Sequence, residues 1–148
     1  MGGVPRSDFL YLLLSNADNI FVVVEQSVPS CKQNMQLVRE MIEHKIPMSS
    51  IELVVDRYLP KLPPDAESLS RGFGLTLQAI LPPSGMARLS MMNSGESLFK
   101  CAPRDPYTQA IRKMAAKIMS SSAEITREPG TKKNLFKLIG SWFGRGED

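Results

Sequence analysis

Ile20-Phe21-Val22-Val23-Val24, Ile51-Glu52-Leu53-Val54-Val55 and Leu77-Gln78-Ala79-Ile80-Leu81 are three short apolar runs, each closed abruptly by a polar or Pro-rich loop. Helical stretches separate them. This alternation predicts βαβ units and a doubly wound, mainly parallel α/β sheet. Open parallel sheets bind ligands outside the carboxyl ends of their strands. The loops at 25–29, 56–64 and 82–85 are therefore where function is to be sought. Neither GxxxxGK[ST] nor GxGxxG occurs in the sequence, and the chain begins where a strand ought already to be ending. The expectation is the C-terminal part of a nucleotide-binding domain.

With 148 residues, 43% of them hydrophobic, the chain has the size and composition of one ordinary globular domain. Its formal charge of +3 is unevenly placed: residues 1–100 carry 9 Lys/Arg against 10 Asp/Glu, residues 101–148 carry 9 against 5. Such a field aids attraction to an anionic surface but does not argue for specific nucleic-acid binding. No apolar stretch approaches the roughly 20 residues that span a bilayer, and no secretory pattern opens the chain, so a soluble, cytoplasmic protein is expected. Cys31 and Cys101 stand alone, without CxxC spacing or clustered His. Half-buried thiols are expected of them, with neither a metal site nor a disulfide.

Helices are expected at 7–15 and 27–45, the second with Ser27 as N-cap and Pro29 in the first turn. Met35, Val38, Met41 and Ile42 recur along it at the spacing of one packed face. Pro60, Pro63 and Pro64 stiffen the loop after the second strand. Asp65 caps a short helix to Phe73, which Gly74 stops. A helix after Pro82-Pro83-Ser84 carries Met86, Leu89, Met91 and Met92 and ends near Asn93; its methionines are expected in the core. A last helix, from Pro106 to about residue 121, sets Ala110, Ile111, Met114, Ala115 and Ile118 on one face.

Residues 122–134 read as a linker between a first domain, 1–121, and a tail at 135–145. In the tail Leu135, Phe136, Leu138, Ile139, Trp142 and Phe143 fall within an arc of about 160°, with Lys133, Lys137 and Ser141 opposite. This is the pattern of a cationic amphipathic helix with aromatics. It suits a membrane interface or a partner protein, and these six residues are the expected contact face.

Several segments now carry a resemblance in their order and spacing: Val4-Pro5-Arg6, Ala17 to Glu25 with Val28-Pro29-Ser30, Leu53-Val54-Val55-Asp56-Arg57-Tyr58, Ile80-Leu81-Pro82 and Ala102-Pro103-Arg104-Asp105-Pro106. Together they resemble the second half of MinD/ParA-type deviant Walker ATPases, within the P-loop NTPases. Inside that group they look most similar to the CpaE/TadZ proteins of tight-adherence (Flp) pilus assembly. The resemblance spans about residues 4–118. It implies an adenine pocket, vestigial here, at Asp56, Arg57, Pro82 and Pro83. The family usually has Asn-Arg where this chain has Asp56-Arg57, and a carboxylate cannot donate as an amide does. Gly3 stands where the family's Asp precedes Pro-Arg. Asp56 can equally begin a turn, Arg57 can be solvated or ion-paired, and Glu25 can cap the following loop. His44, near a helix C-terminus, reads as structural.

Hydrolysis needs a phosphate cradle, a bound Mg²⁺ and a positioned water. The residues present assemble none of these, so no catalytic residue, metal site or cofactor is expected of this chain alone. ATP and Mg are what the resemblance implies for a complete family member. Two functional classes follow. One is a pilus-assembly ATPase or pseudo-ATPase, a homodimer that positions the secretion machinery and meets its ATPase components, peripheral to the inner face of the cell membrane. The other is a ParA-type partitioning protein that binds nonspecific DNA. The aromatic tail favours the first, because phosphate tracking calls for Lys/Arg dispersed over the folded body.

Overall fold

The computed structural model describes residues 8–125. A helix α1 (Asp8–Ser15) leads into β1 (Ile20–Glu25), α2 (Val28–Glu43), a 3-10 turn (Met48–Ser50), β2 (Ile51–Asp56), α3 (Ala66–Phe73), β3 (Thr76–Ile80), α4 (Gly85–Ser94), α5 (Leu98–Cys101) and α6 (Pro106–Ile125). The three strands form one parallel sheet in the order β1-β2-β3. The fold is thus the α/β class with a parallel sheet that the three apolar runs predict.

Local chemistry sets the helix ends. Ser27 Oγ accepts from the Ser30 N–H (3.3 Å) at the start of α2, and Asp65 Oδ1 accepts from the Ser68 N–H (2.7 Å) at the start of α3. Each satisfies one of the orphan donors of a helix N-terminus. Gly74 closes α3 at φ 66°, where a Cβ would be strained. His44 caps α2: its Nδ1 lies 2.8 Å from the Glu40 carbonyl, and its ring stacks on Tyr11 with centroids 3.6 Å apart.

Each sheet face has its own cover. Ile20, Val22 and Val24 of β1 and Ile51, Leu53 and Val55 of β2 share one core with Val38 and Met41 of α2 and Ala66, Leu69 and Phe73 of α3; Tyr11 and Leu14 of α1 join it. On the other face Val54, Leu81 and Tyr107 form a smaller core with Phe21, Ala79, Ala110, Ile111 and Met114. A register shift between Leu53 and Val54 makes Gln78 the extra residue of β3. That is why Leu77 joins the first core and Ala79 the second, although both are odd-numbered.

Some local expectations need correction. Ile42 is exposed, as are Met86, Leu89 and Met92, and α4 buries only Ala87. Spacing alone does not place a helix face against a core when the helix is short and lies beyond the sheet. Strand β3 starts at Thr76 and ends before Leu81. The short helix α5 was unforeseen, because four residues give no periodicity to read. Helix α6 continues through 122–125, where the linker was expected to begin, since Ala123, Glu124 and Ile125 tolerate helix. The chain divides into two compact units at Met114/Ala115. The amphipathic tail at 135–145 lies outside the described residues. No described helix is long and apolar enough to cross a membrane.

Candidate functional site

The carboxyl end of β2 meets the loop after β3, and short hydrogen bonds hold it there. The Leu81 N–H donates to the Val55 carbonyl (2.8 Å), and the Leu81 carbonyl accepts from the Tyr58 N–H (2.9 Å). The chain at Asp56 and Arg57 thereby runs beside Leu81 and the Pro82-Pro83 segment that follows it. Arg57 sits at φ 52°, in the left-handed region, which costs a non-glycine residue of order 1 kcal/mol. That backbone turns its side chain toward Glu25, with Nη1 at 3.3 Å from Oε1. Both side chains are about half exposed, so the pair contributes little to stability.

Asp56 is different. Only 7% exposed, it accepts from Arg88 Nη2 at 2.9 Å through Oδ2. The same Nη2 donates to Tyr107 Oη at 2.8 Å, and the guanidinium carbon stands 4.9 Å from the Tyr107 ring centre. The hydrogen bond to Tyr107, then that to Asp56, hold the Arg88 guanidinium in its charged form, raising its pKa above the ordinary arginine value. Asp56 Oδ1 and Thr108 Oγ1 are buried with no hydrogen-bond partner among the described residues. One carboxylate oxygen is therefore taken and the other is out of reach. These residues do not fit an adenine as they stand.

A second device lies on the same edge. Gln26 Nε2 lies 3.3, 2.7 and 2.9 Å from the carbonyls of Leu59, Leu62 and Pro64, and Gln26 Oε1 accepts from the Leu59 N–H at 2.7 Å. The loop between β2 and α3 is pinned by one side chain. Sequence reading missed Arg88, Tyr107 and Gln26. Arg88 did leave a trace, as the lone charge in an otherwise apolar and small-residue helix. Gln26 left none.

Cys31 and Cys101 are free and half-buried. Among the described residues no cluster of His, Cys, Asp or Glu could hold a metal ion. A cleft of about 300 Å³ lies between α2 and α3, lined by Val28, Cys31, Met35, Leu69 and Gly72 among others. It is nearly all apolar, and Ser27, Val28 and Pro64 set its rim where the loops that follow β1 and β2 enter α2 and α3.

The chain's fold is that of solved ParA- and MinD-type ATPases. A ParA family ATPase from Chlorobium tepidum superposes with a TM-score of 0.62 at 23% identity, covering 70% of this chain and 43% of that one. The MinD cell division protein of Aquifex aeolicus gives 0.66 at 17%, covering 86% and 52%. The Pyrococcus furiosus cell division ATPase MinD gives 0.58 at 18%, covering 72% and 44%. At such identities the likeness establishes the fold. The chain spans about half the length of each of these proteins. No protein-family model matches the sequence, and no curated protein matches it.

Proposed function

We propose that this chain is the C-terminal portion of a ParA/MinD-like positioning protein of Flp pilus assembly, similar to CpaE/TadZ, acting as a scaffold for the secretion machinery. The observation that carries the scaffold reading is the Asp56–Arg88–Tyr107 cluster. It occupies with an internal ion pair a strand-end position at which the resemblance implies that a base would be read. In this reading 1–121 form the body, 122–134 a linker, and 135–145 a helix for an anionic membrane surface or a protein. The working unit is a homodimer that meets pilus or secretion ATPase components; the MinD of Aquifex aeolicus has been solved in a complex with MinC.

Calorimetry with Mg-ATP at millimolar concentration tests the scaffold half of the proposal, and heat of binding or turnover above background would refute it. Co-purification with the cell's pilus-assembly ATPase, against a DNA-retention assay, tests the pilus half. Retention on nonspecific DNA without pilus components would support the partitioning reading instead.

A further inference from the structure

The cleft between α2 and α3 is lined from both helices at helical spacing: Cys31, Lys32 and Met35 come from α2, and Ser68, Leu69 and Gly72 from α3. Its floor is the main core. Leu69 is buried there, and Cys31 and Met35 pack against that core from the half-buried layer. One wall is open by the choice of residue. Gly72 lies inside α3 at negative φ, and a Cβ built on it would stand 3.7 Å from Met35 Cε, an ordinary contact. Neither the backbone nor the packing requires glycine there, and glycine inside a helix is destabilising relative to alanine. What the missing side chain does is keep about 300 Å³ open against Met35. That volume is at the lower end of small-molecule sites.

Charge says what kind of molecule suits the cleft. Helix α2 has no carboxylate before Glu40, so its wall presents one charge, the exposed Lys32. Lys32 has no ion-pair partner among the described residues. Because the lining is nearly all apolar, Lys32 lends the cleft its methylenes and keeps its ammonium in water. Ser27 stands at the rim; its Oγ takes the Ser30 N–H and leaves its own proton to give. The carboxylates of the adjoining loops are engaged: Asp65 accepts from the Ser68 N–H and lies in the field of Arg71, and Glu25 pairs with Arg57. Glu67 does not line the cleft.

We propose that this cleft binds the monomer of a medium-chain fatty carboxylate, its alkyl chain between Met35, Leu69 and Gly72 and its carboxylate at Lys32 and the Ser27 hydroxyl. A neutral apolar molecule leaves Lys32 unused. A molecule polar along its length would lose its hydration against a lining that offers it no partner. The inference draws on α2 and α3 and the loops that enter them, and it is independent of the pilus reading.

The chain carries its own reporter, since Cys31 lines the cleft and Cys101 lies in α5, outside it. The experiment follows alkylation of each cysteine by N-ethylmaleimide, resolved by peptide mass spectrometry, in the intact chain with sodium decanoate below its micelle concentration. Decanoate at millimolar concentration is expected to slow Cys31 about fivefold or more, as a site filled at a few times its Kd does, and to leave Cys101 unchanged. Octanoate, two methylenes shorter, should need about tenfold more for the same protection. Lys32→Glu should weaken decanoate several-fold without changing protection by decanol, and Gly72→Leu, which fills the cleft, should remove protection by both. Lys32→Glu alters an exposed side chain and so decides the matter if Gly72→Leu does not fold. Unchanged Cys31 rates overturn the proposal, as do slowing of both cysteines together and equal potency of decanoate and octanoate. Cys31 rates that fall with protein concentration in the absence of decanoate also overturn it, and assign the cleft to a second copy.

Discussion

Replacing Arg88 by alanine isolates the cluster at the strand ends. The substitution removes a hydrogen bond to a carboxylate, worth about 1.5–3 kcal/mol net, one to a neutral hydroxyl, about 1, and a ring contact, about 0.5–1. Arg88 keeps 31% of its side chain in solvent, so these values belong at their lower ends. The Asp56 carboxyl group, at 10% side-chain exposure, is left nearly buried without its cation. Arg88→Ala is therefore expected to destabilise by about 2–3 kcal/mol, and Asp56→Asn by about 1–2. The double substitution should cost less than the sum by at least about 1 kcal/mol, because each single change already breaks the same contact. Urea denaturation of the four proteins, with slopes held common, measures this cycle. Additive losses, or a loss below about 0.5 kcal/mol for Arg88→Ala, would refute the argument that the pair closes the strand ends.

Further measurements follow from particular residues. Gln26→Ala is expected to cost about 1–2 kcal/mol and to speed amide exchange of Leu59 and Leu62, while leaving that of β2 unchanged. Asp65 is held below the ordinary carboxyl value of 3.8, chiefly by the Ser68 N–H. Its contribution is therefore full above that value and is lost as pH falls through the lower folded one, so the stability gap between the native chain and Asp65→Ala should close only in acid. Gly74→Ala should destabilise by about 1 kcal/mol through its positive φ, read as a lowered melting temperature. Sedimentation with anionic vesicles should retain the chain and lose both Trp142→Glu and a truncation after Ser122; equal behaviour of all three would remove the membrane role of the tail.

The strands were legible because their information is local: an uninterrupted apolar run such as Phe21 to Val24 suits a buried parallel strand and little else. Caps were legible for the same reason, as at Ser27, Asp65 and Gly74, where one residue type answers one backbone need. The carboxyl-end location of Asp56, Arg57 and Pro82 also followed from strand order alone. What occupies Asp56 did not, because Arg88 lies 32 residues away on a helix whose rotation spacing could not fix. The exposed Met86 and Met92 show the same failure: α4 has apolar residues on several sides, so no single face declares itself.

The loop after β2 contains Pro60, Pro63 and Pro64, none of which has an N–H to give, and so its carbonyls cannot all be satisfied from within. The Leu62 N–H serves the Leu59 carbonyl, and Gln26 adds two N–H groups spread over the carbonyls of Leu59, Leu62 and Pro64 and an acceptor for the Leu59 N–H. In descent, that arrangement makes the loop a follower. Its exposed Leu59, Lys61 and Leu62 can drift freely, since their backbone atoms are what Gln26 reads. A change at position 26 loses all of these hydrogen bonds at once. Among close relatives with a loop of this length, variation should be wide at 59–62 and narrow at 26, and where glutamine is lost the loop should differ in length as well.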